Sequence, residues 1–566
     1  MWMRNILFLA LCVTGLALVG RNLLDRDRVD TPRDFRSGRL NVTPASAAPD
    51  GAEKGQTTAT DLAVVVAKIN QEFRDHWREK GLSPAARADD LAIARRLSLA
   101  LTGTIPSLEE IRELEKVRPA DRVNWWLAHL LEDRRYADYV AERLARAYVG
   151  TENGPFIVYR RRRFVTWLAD QLEKKTPYDA IVRELIADTG LWNAEPAVNF
   201  LTVTARQQEG NRPDEVRLAA RTTRAFLGMR IDCLQCHDDR LGNVTLGAAD
   251  EPRGGKQADF HKLAAFFGQA RTGLTGIQDD PKRSYQTKYL EADKEEVVAP
   301  QVPYGEEIFD GRGTRRQQLA RWVTNPNNKP FARATANRLW AILFGRALLE
   351  PVDSIPLFGK YPPGLETLAE DFISHGYDVK RLIAIIAATD VYQLDSKADF
   401  EVTPAHEQEW AVFPVTRMRP EQVAGAVIQA SSLTTINADA HIFSQLGKFI
   451  QTNQFVERYG DLGEDEFIDR GGTIPQRLLM MNGELVKERT DQNPVQNAAT
   501  RIAMVTPKNH QAVETAYLVT LTRRPTPAEL AHFTKRLADR EERNRAGAME
   551  DLYWVLLNST EFSWNH

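Results

Sequence analysis

Cys233-Leu234-Gln235-Cys236-His237 is the one stretch of this sequence whose residue types and spacing prescribe a chemistry. C-x-x-C-H is the attachment pattern of c-type haem. Two thiols three residues apart can meet the two vinyl groups along one porphyrin edge, and the histidine that follows brings an imidazole under the iron as proximal ligand. Scarcity gives the pattern weight. The chain has 3 Cys and 10 His in 566 residues, and a shuffled composition would yield the five-residue pattern only ~3 times in ten thousand. Three other readings use the same residues. A Cys233–Cys236 disulfide suits an oxidising compartment. A redox dithiol needs a βαβ setting, whereas the flanks read as helix, turn and loop. Zinc wants four ligands, which Cys233, Cys236, His237 and His261 could supply, but adjacent Cys and His crowd a tetrahedral site.

If haem c sits on Cys233 and Cys236 with His237 below the iron, the sixth position is the next question. Met229, four residues before Cys233, would have to wrap to the opposite face, and no other Met follows until Met418. His261 is the nearest downstream histidine. It lies beside a helix face formed by Phe260, Leu263, Ala264 and Phe267, where it reads as a sixth ligand or as a structural core residue. An open or water-filled sixth position is the alternative. As a ligand, His261 would carry a spectroscopic consequence: His261→Ala would shift the visible spectrum. Asp238 and Asp239 follow as hydrogen-bond partners for a ligand imidazole or as caps of the next turn. The run Arg160, Arg161, Arg162, Arg163 reads as a solvated helix face before it reads as a propionate clamp. No G-x-S-x-G elbow, Walker loop, H-E-x-x-H or EF-hand loop occurs, so no familiar hydrolase or nucleotide site is indicated.

The elements that must position this motif read as helices. Leu62, Val65, Val66 and Ile69 form an i, i+3, i+4, i+7 stripe, and Ile93, Leu97 and Leu101 repeat every four residues. Ser107 with Glu110 makes a capping box ahead of Leu108, Ile111 and Leu114. Later helices are expected over 319–323, 334–344, 365–375, 379–389, 421–429, 512–521 and 526–540. Strand patterns are scarce, with 200–204 the clearest candidate and 297–302 a poorer one. Residues 272–314 carry Gly, Pro, Asp and Lys without a sustained period and mark the internal boundary. The expectation is a mainly α protein of two helical domains, 61–271 and 315–566, joined by an irregular segment with minor β content.

Residues around these positions resemble a known family. Arg221-Thr222-Thr223-Arg224-Ala225-Phe226-Leu227-Gly228 leading into the motif and Asp238, then residues 259–267, resemble the planctomycete-type secreted cytochrome-like domain of unknown function. Gly81-Leu82-Ser83-Pro84, Leu101-Thr102-Gly103 with Pro106, and residues 130–136 are similar to it as well. Downstream, Leu319-Ala320-Arg321-Trp322, Asn337-Arg338-Leu339-Trp340, Phe344-Gly345-Arg346, Pro475-Gln476, Met481-Asn482 and residues 557–562 resemble the second domain that accompanies it. The resemblance spans nearly everything after residue 60. It implies an exported, mostly helical, haem-binding protein without an assigned substrate or partner, in which Cys233, Cys236 and His237 are the site residues. The chain departs from the family's H-D-H-K run, reading His237-Asp238-Asp239-Arg240, and has His261 where the family tends to carry an aromatic residue.

Composition bounds the rest. Hydrophobic residues make up 43% and charged residues 27%, which excludes disorder or a multi-span membrane architecture for the whole chain. The net charge of −3 provides no nucleic-acid footprint. Residues 6–19 form an apolar run behind Arg4 that reads as an export signal or retained anchor within 1–20, followed by a tether over 21–60. The excess of arginines after the run opposes export on the positive-inside tendency. Cys12 falls within that run, so two cysteines remain beyond it. The reading that joins these observations is an extracytoplasmic haem c protein, attached to a membrane through its N-terminus, which passes electrons to a redox partner. The rival reading is a non-catalytic scaffold whose C-x-x-C is a disulfide.

Overall fold

A computed structural model describes residues 52–151, 154–155, 158–436, 455–456, 473–491, 497–539 and 541–566. The apolar run at 6–19 lies outside the described residues, as does most of the tether at 21–60. Within the described residues no helix is long and apolar enough to cross a membrane.

The chain is mainly α, and its helices start where side chains can satisfy free N–H groups. Asp89 accepts from Leu91 N ahead of the Asp90–Thr102 helix. The Ser107–Glu110 capping box opens the Leu108–Lys116 helix in both directions, at 2.8 and 3.0 Å. The expected later helices are present as Arg315–Val323, Lys329–Phe344, Leu365–Ser374, Val379–Ala388, Pro420–Ala430, Asn509–Leu521 and Pro527–Asp539. Strands are short and occur, among the described residues, as four antiparallel pairs.

One strand expectation is corrected and one is met in part. Residues 200–204 are not a strand: Asn199–Thr202 is a helical turn with Phe200, Leu201 and Val203 all buried. A short apolar run buried all round has no periodicity that separates strand from helix. Glu296–Val298 is a strand, paired with Tyr285–Thr287, and Val302 beyond it is buried in irregular chain.

Segment 272–314 contributes to the core through Ile277, Tyr285, Val298, Val302 and Tyr304. Arg316, fully buried, bonds Asp279 at 2.7 Å and the carbonyls of Ile186 and Asp188. It ties the Ala270–Gly273/Gly276–Asp279 hairpin to the Tyr178–Ala187 and Arg315–Val323 helices. One continuous apolar cluster takes in residues from Ile69 to Phe413, together with Leu518. In it Phe73 of the Ala52–Lys80 helix stacks on Trp340, which stacks on Phe344. A second cluster joins Leu99 and Ile105 to residues from Met418 to Phe562.

Candidate functional site

The motif follows the Glu215–Leu227 helix, which ends on Gly228 with φ +61°, a left-handed turn that glycine adopts without strain. Ile355 N donates to the Gly228 carbonyl at 2.7 Å, and Arg224 and Arg230 both bond Asp353. This fixes the chain where it enters a 3₁₀ turn over Asp232–Gln235. Leu234 is fully buried, whereas Cys233, Gln235, Cys236 and His237 face solvent. One apolar side chain thus plugs the turn into the core and leaves both thiols free and exposed.

His237 has a defined tautomer. Its Nδ1 lies 2.8 Å from the Asp238 carbonyl oxygen, and a carbonyl only accepts. In the neutral imidazole Nδ1 therefore carries the proton and Nε2 keeps its lone pair. Metal-ligating histidines are held this way, by a carbonyl or carboxylate on the other ring nitrogen.

Asp238 and Asp239 act as caps. Asp238 accepts from Gln257 N at 2.7 Å, at the start of the Gln257–Ala264 helix. Asp239 accepts from the N–H groups of Leu241, Gly242 and Val244, and these bonds lower its carboxyl pKa. Burial and the Asp239 charge both push the Cys233 thiol up. A redox dithiol needs the opposite shift.

His261 lies under the motif turn. It is 4% exposed, with Nε2 3.0 Å from the Gln235 carbonyl oxygen and Nδ1 2.8 Å from the Tyr285 hydroxyl. Burial lowers its pKa, more than the Gln235 bond raises it. The neutral ring then places its proton on Nε2, toward the carbonyl, and Nδ1 accepts from Tyr285. Burial holds the Tyr285 phenol protonated, its pKa pushed up to about 12. Gln257 adds a second donor to the same carbonyl, Nε2 at 3.1 Å, and takes Leu290 N on its Oε1. Gln257 and Tyr285 were not legible in the sequence: neither belongs to a motif, and both reach the turn only through folding.

The methionines nearest the motif in sequence, one on each side, are inside. Met229 is 6% exposed in the main core and Met418 is 2% exposed in the second. Of the arginine run, Arg161 bonds Glu142 and the Gly150 carbonyl, while Arg162 and Arg163 are exposed on the Arg161–Glu173 helix. Two other polar groupings are self-satisfied. Asp61, Asp371 and His375 converge, but Arg381 bonds both carboxylates and supplies the cation itself. A cleft of ≈ 390 Å³ is lined by Asp90, Glu115, Arg122 and Arg524, paired as Arg122–Asp90 and Arg524–Glu115.

The molecule is thus a mainly α protein presenting an exposed C-x-x-C-H turn on a braced surface. Residues 68–272, which include that turn, match the family model PSCyt2, protein of unknown function (DUF1549), and residues 315–465 match PSD1, protein of unknown function (DUF1553). Together the two matches are the planctomycete-type pair of domains of unknown function that the sequence resembles. Comparison with curated proteins and with solved structures returns no match.

Proposed function

We propose that this protein is an extracytoplasmic c-type haem protein with an electron-transfer or related redox role toward a protein partner. The observation that supports it most is His237: its Nδ1–H is engaged by the Asp238 carbonyl, leaving Nε2 free beside two exposed thiols. The donor set fits haem c, with Cys233 and Cys236 as the thioether positions and His237 as proximal ligand. When bound, such a haem supplies one-electron chemistry, tuned by its ligands and its exposure. The chain's own part is to display the three residues on one turn and hold the imidazole in the ligating tautomer. The export run at 6–19 accords with a compartment where thioether attachment takes place, and it would also hold the protein at a membrane.

The test is a pyridine haemochrome assay and in-gel haem stain on the full chain from a host that matures c-type cytochromes. Covalent haem in the wild type, lost in the Cys233→Ala/Cys236→Ala double variant, is the expected result. An intact, exported wild type without covalent haem would overturn the proposal and leave the pair to the disulfide reading.

A further inference from the structure

The geometry points to His261 as a positioning residue of the C-x-x-C-H turn: it holds the Gln235 carbonyl from below and does not ligate iron. The inference deepens the haem reading, but its structural half does not depend on haem. Two facts favour a brace over a sixth ligand. The first is the lone pair. His237 has its proton on Nδ1 and a free Nε2, whereas His261 has its proton on Nε2, committed to Gln235, and its only lone pair, on Nδ1, taken by the Tyr285 hydroxyl. To ligate, His261 would have to release the Tyr285 bond, the Gln235 bond or both. The second is confinement. The ring lies at 20° to Tyr285 with centroids 6.0 Å apart, and meets Phe260 and Tyr289 edge-on at 5.6 and 5.5 Å. No rotation brings it to the solvent face of the turn without breaking this packing.

What the brace accomplishes follows from where it acts. Gln235 lies between the two cysteines, so its carbonyl orientation sets the path of the chain from Cys233 to Cys236. His261 and Gln257 both donate to that oxygen, one from the middle and one from the first turn of the Gln257–Ala264 helix. Leu234, buried beside Gly255 and Val244, prevents rotation from the other side; a Cβ on Gly255 would come within 2.6 Å of it. Tyr285 extends the brace to the Tyr285–Thr287/Glu296–Val298 hairpin, its hydroxyl reaching the motif through one imidazole.

Substitutions at 261 separate the roles. Glutamine places an amide N–H near the Nε2–H position; asparagine is too short, and leucine fills the space without a donor. In the full chain produced without haem and fully reduced, hydrogen exchange of the turn's bonded backbone amides, Leu234 N and Cys236 N, is followed by mass spectrometry. His261→Leu and His261→Asn are expected to raise the rate several-fold, up to about tenfold, the equivalent of one hydrogen bond, while His261→Gln stays near wild type. Tyr285→Phe, which keeps the ring, is expected to raise it in the same direction. Equal rates in wild type, His261→Leu and Tyr285→Phe would overturn the brace. In haem-loaded protein the visible band positions of His261→Gln are expected to match wild type, and a ligand-loss shift would overturn it too. A wild type without haem would remove the haem reading alone, because the exchange series still decides the brace.

Discussion

His237 and His261 have the same side chain and opposite assignments, and the difference is one carbonyl each. The Asp238 carbonyl takes the Nδ1 proton of His237, and the Gln235 carbonyl takes the Nε2 proton of His261. Both carbonyls belong to the motif loop, so the same backbone that frees one imidazole occupies the other. The motif, with His237 as its proposed ligand, was legible from residue type and spacing. The role of His261 was not, because Tyr285 is 24 residues away in sequence and 2.8 Å away in space. Cys233 carries a prediction at this scale. Burial and Asp239 raise its thiol above the ordinary value of 9.0, so in a haem-free Cys236→Ser chain its thiolate absorbance at 240 nm should appear with a midpoint above pH 9. A midpoint near 7 would revive the redox-dithiol reading.

At the scale of elements, helix starts and apolar faces could be read because their signals are local. Ser107 and Glu110 meet as their spacing requires. Glu110 also does something its spacing does not announce: it bonds Arg135 across to the Arg134–Val149 helix. Burial alone would raise this carboxyl, but His129, Arg135 and the Ser107 N–H overcome it and bring it from 4.5 to about 2. A depressed carboxyl stabilises the fold above its unfolded pKa and loses that contribution as pH falls through the folded one. Urea unfolding should therefore show Glu110→Gln less stable than wild type by about 3 kcal/mol at pH 7. That gap should begin to close below pH 4.5 and vanish toward pH 2. A gap independent of pH would contradict the assignment. Gly425 tests packing against propensity. Alanine gains ~1 kcal/mol in a helix interior, yet a Cβ there would stand 2.4 Å from the Gly103 carbonyl oxygen. Overpacking against backbone costs about 1–3 kcal/mol, so Gly425→Ala should lower the denaturation midpoint rather than raise it.

Across the whole molecule the core is shared between distant parts of the chain. Arg95 and Arg96, neighbours on the Asp90–Thr102 helix, are buried and reach the carbonyls of Thr520, Phe562, Tyr392, Leu394 and His566. Burial lowers both guanidinium pKa values to about 10, so both remain charged at neutral pH. The Arg96 guanidinium also lies 3.7 Å from the Phe413 ring centre. Removing it leaves several carbonyls without a charged donor, and Arg96→Ala should cost about 3 kcal/mol. Because the Ile69–Phe413 cluster draws on both matched segments, urea unfolding followed by far-UV CD and by tryptophan fluorescence should trace one coincident transition. Two separated transitions would show that the segments fold independently.

Helical class, cap positions and the C-x-x-C-H pattern were legible because each depends on neighbours within a turn or two, where covalent geometry limits what a residue pattern can become. The plug at Leu234, the tautomers of two histidines and the use of Gln257 and Tyr285 as braces came only with the tertiary structure. Hydrogen bonds and burial between residues far apart in sequence depend on which surfaces meet. A local pattern does not encode that meeting.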